Sequence, residues 1–227
     1  MDWPFLTQTV GELLSGVPLT LRLAGTALCI GFLLAASIAA LAQSRLAPLR
    51  WFAHLYVGLF QGTPLLVQIF IIYYGFGQVE FLRASILWPL LSQAYWCAVL
   101  ALSLNTSAYG AEIIRGAIAA VPRNEIEAAQ AVGMSGFLLQ RRIIWPQALR
   151  HGLANYGNEA IQLLKATSLA SVITLMDVTG IAYRLVSKTY RSEEIFAIAG
   201  MIYLFLAFVI AVCVHILERY LRPGSRV

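Results

Sequence analysis

Long uncharged apolar runs recur along this chain at a spacing set by hydrocarbon thickness. Residues 23–44, 51–79, 84–111 and 195–217 contain no Asp, Glu, Lys or Arg. Each is long enough for a helix to cross a hydrocarbon core about 30 Å thick, which takes roughly 20 residues. A further stretch, 152–176, is apolar in its second half but carries Glu159 and Lys165. It is read as a span too, because the chain would otherwise need a long structureless loop. The pattern predicts an all-α integral membrane protein of five transmembrane helices over about 20–44, 51–77, 90–115, 152–177 and 195–217, forming a single transmembrane domain over residues 1–227. Pro64 falls inside the second span and predicts a kink there, serving either as a hinge or as a bend around neighbouring helices.

The polar positions inside the spans are periodic. At about 100° per residue, Asn105, Tyr109, Glu112 and Arg115 share an arc of roughly 120°. Asn155, Asn158, Glu159, Gln162 and Lys165 do the same in the next span. A charge at the bilayer centre costs on the order of 3 kcal/mol, so these faces should meet each other, a partner chain or a wet cavity. Two readings stay open. The groups pair among themselves, Arg115 with Glu159 for instance, or they line a pathway. For Lys165, near the midplane, snorkelling to an interface is least effective, and it suits a substrate carboxylate. Glu112 and Glu159 suit a cationic group.

Basic residues orient the spans. Arg45 and Arg50, then Arg123, Arg141, Arg142 and Arg150, then Arg219, Arg222 and Arg226 alternate onto one side. Asp2, Glu12, Arg22, Glu80 and Arg83 fall on the other. The expected topology is N-terminus outside and C-terminus in the cytoplasm. Arg184, Lys188 and Arg191, in the connection after the fourth span, weaken the asymmetry without reversing it. The composition, 59% hydrophobic and 12% charged, agrees with the membrane class, and the net charge of +5 is a topology signal rather than a sign of nucleic-acid binding. No basic n-region precedes the first span, which is expected to remain in the mature protein. Cys29, Cys97 and Cys213 lie in different spans, so neither a disulfide framework nor a metal site is expected.

Between the third and fourth spans lies a hydrophilic loop over about 119–150. Pro122 and Asn124 offer a helix start and Glu125 and Glu127 suit its first turn. Gly133 is placed to end that helix in the left-handed conformation, Ser135 opens a second one toward Ile144, and Pro146 is expected to stop it. An amphipathic hairpin on the inner leaflet is the alternative, with Arg141 and Arg142 meeting lipid headgroups. No glycine precedes Lys165 or Lys188, so no G-x-x-x-x-G-K phosphate loop exists, and ATP, if used, is bound by another chain. No catalytic constellation is found.

Glu127, Ala128, Ala129, Gly133, Ile143 and Pro146 stand in the register of the Glu-Ala-Ala loop of binding-protein-dependent importer permeases, with Trp145 where that family usually has Leu. The segments beginning at Gln61 (QGTPLLVQIFIIYYG), Leu104 (LNTSAYGAEIIRGAI) and Asn158 (NEAIQLLKATSL) make the chain similar to the polar amino acid uptake permeases, in particular those for histidine, lysine, arginine, ornithine and opines. Gln61 departs from the Arg that commonly precedes Gly-Thr-Pro there. The resemblance implies a type I ABC importer permease fold in a bacterial inner membrane. Two permease chains, a related sister or a second copy, would work with two ATPase subunits carrying ATP and magnesium and with a periplasmic substrate-binding protein. It gives Glu127, Ala128, Ala129, Gly133, Arg141 and Arg142 to ATPase coupling. Asn105, Tyr109, Glu112, Asn158, Glu159, Gln162 and Lys165 form the expected pathway for a polar, basic amino acid or opine. The alternative functions are a stand-alone secondary carrier or channel, against which the lack of an internal repeat argues, and a membrane enzyme using Glu112 with Glu159.

Overall fold

A computed structural model describes residues 3–86 and 88–221, so Asp2, Arg222 and Arg226 of the charge pattern lie outside the described residues. All regular structure among them is helical. Two helices open the described chain, α1 (Trp3–Leu14) and α2 (Val17–Ala42), joined by a turn at Ser15 and Gly16. The sequence pattern left residues before 20 unassigned, yet Pro18 sits in the opening turn of α2, where its missing N–H costs nothing.

The second predicted span is broken rather than kinked. Helix α3 (Ala47–Gly62) stops two residues before Pro64, and α4 (Leu65–Phe70) continues through a π-turn and a 3₁₀ turn to Gln78 at 103° to it. Short helices α5 (Glu80–Arg83) and α6 (Trp88–Leu91) lead into α7 (Ala94–Ala119). After α7 come α8 (Arg123–Ala131) and α9 (Gly136–Leu139), and a π-turn over Gln140–Ile144 joins α9 to α10 (Trp145–Ala166). Pro146 therefore does not stop a helix; it lies in the first turn of α10, where the widened hydrogen bonding of the π-turn leaves no need for its N–H.

The fourth span also differs from its reading. A 3₁₀ stretch follows α10 over Thr167–Ile173, Thr174 turns left-handed at φ 71°, and α11 (Val178–Thr189) departs at 48°. The basic segment read as a connection is thus largely helical. Arg184 and Lys188 share its exposed face, while Val178, Ile181, Ala182 and Leu185 pack beside Leu13 and Ile195. Helix α12 (Ser192–Leu221) closes the described chain. Three helical stretches, Trp3–Ala42, Ala94–Ala119 and Ser192–Leu221, are long and apolar enough to cross a membrane; the two bent pairs bring the number to as many as 5.

Helices α2 and α7 form the axis of the fold. Leu23, Ala27, Gly31 and Ala35, each four residues from the last, are buried along one stripe of α2 that faces α7. Lipid tails offer no hydrophobic advantage to such a contact, so small residues and close backbone approach must supply it. Gly31 shows why. A Cβ there would fall 2.3 Å from Thr106 Cγ2 and 3.3 Å from Ser103 O. The approach lets the Ser103 hydroxyl donate to Ala27 O at 3.3 Å, across the helix pair. Helix α10 then packs against α7, α12 and α2. Gly31→Val is expected to force this pair apart and to destabilise the fold by about 1–3 kcal/mol, the cost typical of overpacking. Thermal unfolding of the purified protein in detergent, with a lowered midpoint, checks it.

Candidate functional site

Where α7 passes α10, beside the start of α4, the polar faces open a cavity of about 560 Å³. Asn105, Thr106 and Tyr109 of α7 line it with Glu159, Gln162 and Lys165 of α10, while Leu65, Leu163, Ala166 and Leu169 supply apolar wall and Ser168 a further hydroxyl. Thus Asn105, Tyr109, Glu159, Gln162 and Lys165 of the predicted pathway are brought to one place. Glu112 and Asn158 do not line this cavity.

The expected alternative pairing of Arg115 with Glu159 is not formed. Arg115 turns to Glu112, three residues back on its own helix, at 2.5 Å, and both side chains keep substantial exposure. Glu159 instead accepts from the Thr106 hydroxyl at 2.5 Å. The reason is local geometry: Glu112 and Arg115 are neighbours on one helix surface at i,i+3, whereas Thr106 sits on the part of α7 that α10 crosses. Among the described residues no cationic side chain forms an ion pair with Glu159. Lys165 Nζ donates to Gln162 Oε1 at 3.5 Å and is otherwise exposed to the cavity. One ammonium and one carboxylate therefore face a common volume, separated along α10 by less than two turns.

Thr106 and Gln68 were not singled out in the sequence. Thr106 looked like one of several small hydroxyl residues in an Asn-Thr-Ser run. Gln68 did carry a signal: a lone amide in an apolar run, four residues after a proline, must find partners within the protein. It is 7% exposed and supplies Nε2 to Phe60 O, Thr63 O and Thr63 Oγ1 at the α3–α4 break. Gln61, at the position where a basic residue was expected, donates to Ala108 O at 3.3 Å and so ties α3 to α7.

The second group of predicted residues lies on the hairpin between α7 and α10. Gly133 adopts φ +87°, a region costly for other residues, and its N–H closes on Gln130 O, ending α8. Ala129 is buried against a small core with Val121, Leu139 and Ile144, while Glu127 and Ala128 face outward. Arg141 and Arg142 project from the π-turn, exposed. Gln147 donates to Glu125, tying the start of α10 to α8. Trp145 meets Phe137 edge to face at 5.7 Å, with both rings over half exposed, so the outer surface of the hairpin presents aromatic and basic groups together. The three cysteines are free, and among the described residues no three His, Cys, Asp or Glu side chains gather as a metal site.

Residues 27–227 match the family of binding-protein-dependent transport system inner membrane components. The chain belongs to this family. As a member it is a multi-pass permease subunit of an inner-membrane importer. It is 52% identical to an octopine transport system permease protein of Rhizobium meliloti, over 98% of this chain and 91% of that one. It is 45% identical to a nopaline transport system permease protein of Agrobacterium fabrum, over 100% and 94%, and 39% identical to an arginine ABC transporter permease protein of Haemophilus influenzae, over 93% of each. In structure it resembles a chain of a crystallised amino acid ABC transporter solved with histidines, with a TM-score of 0.86, 34% identity and coverage of 97% and 99%.

For this permease, the contrast between the two acidic partnerships gives a stability test. Arg115→Ala should cost less than about 1 kcal/mol, as for exposed ion pairs. Thr106→Val should cost about 1–3 kcal/mol, because Glu159 then loses a donor in a half-buried place. Parallel thermal melts of the two variants in one detergent separate these outcomes.

Proposed function

We propose that the permease carries arginine or an arginine-derived opine inward through the α7–α10 cavity, driven by ATP hydrolysis on a separate chain. The observation that carries this reading is the joint presence of Glu159 and Lys165, with Gln162, Asn105 and Tyr109, around one volume of about 560 Å³. That is within the roughly 300–1,000 Å³ of small-molecule sites. Arginine and its opines share a guanidinium and at least one carboxylate, so they offer a cation and an anion to a wall that offers one of each. The names of the similar permeases, for octopine, nopaline and arginine, point the same way.

In the assembly proposed, five spans place the N-terminus in the periplasm and the α8–α9 hairpin in the cytoplasm. A second permease, a related sister or another copy, completes the pathway. Two ATPase subunits seat on the hairpins, and a periplasmic binding protein delivers substrate. Glu127, Ala128, Arg141 and Arg142 face outward to the ATPase, whereas Ala129 anchors α8 and Gly133 sets its angle to α9. When ATP draws the ATPases together, a rigid hairpin passes that displacement to α7 and α10, the two helices that form the cavity. Opening toward the periplasm admits substrate; return toward the cytoplasm releases it.

Reconstitution of the complex in liposomes tests both halves. Glu159→Gln should lower ATP-driven uptake of arginine or octopine at least tenfold, as expected for loss of one charge-assisted contact worth about 1.5–3 kcal/mol. Unchanged uptake removes the cavity from the pathway. Gly133→Val should preserve the assembled complex and its ATP hydrolysis while uptake falls, because a β-branched residue resists φ +87° and distorts the lever. Equal uptake per ATP in the variant and the parent excludes the lever role, and uptake that survives ATP depletion favours a gradient-driven carrier.

A further inference from the structure

Pro64 removes a hydrogen-bond donor from the middle of the α3–α4 span. In a continuous helix the N–H at position 64 would serve Phe60 O, and proline has none. A bare carbonyl within the membrane costs several kcal/mol, so another donor has to replace it. Gln68 does so: its Nε2 lies 3.0 Å from Phe60 O, 3.1 Å from Thr63 O and 2.8 Å from Thr63 Oγ1. The Thr63 hydroxyl proton is itself directed to Leu59 O at 2.8 Å, so Thr63 Oγ1 also acts toward Gln68 as an acceptor.

Every atom facing that end of the Gln68 amide therefore accepts. The amide can present only its nitrogen there, and Oε1 must point the other way. Oε1 meets Asn105 Nδ2 at 3.1 Å, and the same nitrogen donates to Phe60 O, also at 3.1 Å. Both N–H groups of Asn105 are now spent. The group that Asn105 has left to offer is Oδ1, an acceptor only, and Asn105 is a wall residue of the cavity.

We propose that Gln68 is a positioning residue for transport, one that fixes the Asn105 amide with its oxygen available to the cavity and so favours substrates bringing an N–H donor to that wall. The proposal rests on the reading of the α7–α10 cavity as the substrate pathway. It extends that reading by assigning part of the discrimination to the broken span, although neither Gln68 nor Pro64 lines the cavity. A guanidinium has donors alone and matches Oδ1. A group presenting a carbonyl there meets an acceptor and is disfavoured, since an unmade hydrogen bond weighs more than a made one.

The test is equilibrium binding of radiolabelled arginine to the purified permease–ATPase complex in nanodiscs, without binding protein, competed by citrulline. Citrulline has the same length and a urea carbonyl in place of one guanidinium nitrogen. Gln68→Leu frees the Asn105 amide to rotate, and the preference for arginine over citrulline should fall about tenfold. Asn105→Leu should lose the same preference, and the double variant should lose no more than Asn105→Leu alone, because Gln68 acts through Asn105. Asn105→Asp presents an acceptor whichever way it turns and should keep the preference. A structural role alone would weaken both ligands equally. An unchanged ratio in Gln68→Leu, additive losses in the double variant, or loss of preference in Asn105→Asp each overturn the proposal. If Gln68→Leu does not assemble, the Asn105 variants decide: a parental ratio in Asn105→Leu overturns it. Glu159→Gln is measured alongside. If it binds both ligands as the parent does, the cavity reading falls and this proposal with it. If it weakens binding while Gln68→Leu leaves the ratio untouched, only the positioning role fails.

Discussion

Backbone polar groups in a hydrocarbon core have no water to turn to, and the breaks in the two bent spans of this permease are organised around that constraint. At the α3–α4 break, side-chain amides take over from the missing N–H of Pro64, and one of them belongs to a neighbouring span, Asn105 of α7. At the bend between α10 and α11, Asp177 caps the new helix by accepting from Gly180 N at 2.8 Å, and Tyr203 of α12 donates to its other oxygen at 3.0 Å. Thr20 of α2 accepts from Val178 N in the same place. Each irregular stretch is thereby tied to a different helix. The breaks become the points where spans are joined, and the cavity lies beside one of them.

Close packing makes such ties possible. The α2 stripe of small residues brings α7 near enough for hydroxyl-to-carbonyl contacts, and it fixes Thr106, whose methyl lies over Gly31 and whose hydroxyl serves Glu159. One threonine thus belongs both to the packing seam and to the polar wall. A movement of α7 relative to α2 or α10 has to disturb both, which is the kind of coupling the proposed alternating access requires.

Much of this was legible in the chain, and the exceptions have physical causes. Hydropathy revealed the long helices because burial in lipid demands length, and helical periodicity identified Asn105, Tyr109, Glu159, Gln162 and Lys165 as members of polar faces before any cavity was visible. The same reasoning misjudged Arg115, because depth estimates do not see that Glu112 is a neighbour on the same turn. Helix α11 was missed because its basic residues dominated the reading, although they occupy only its outer face. Pro146 was read as a stop because a π-turn, which depends on tertiary context, leaves no trace in composition. Gln68 was passed over since a single amide in an apolar run announces a need for partners without naming them. The hairpin registers at Glu127 to Gly133 were legible from resemblance alone; the left-handed turn at Gly133 followed from its residue type.

The central claim is that substrate passes between α7 and α10. The most direct measurement is a cryo-electron microscopy structure of the assembled complex, trapped with the ATPase hydrolytically inactive and saturated with arginine. The account predicts ligand density bounded by Asn105, Glu159 and Lys165, with the guanidinium toward the acceptors and the carboxylate toward the lysine. A well-resolved α7–α10 cavity that stays empty of ligand at saturation, with arginine density elsewhere along the spans, would contradict it.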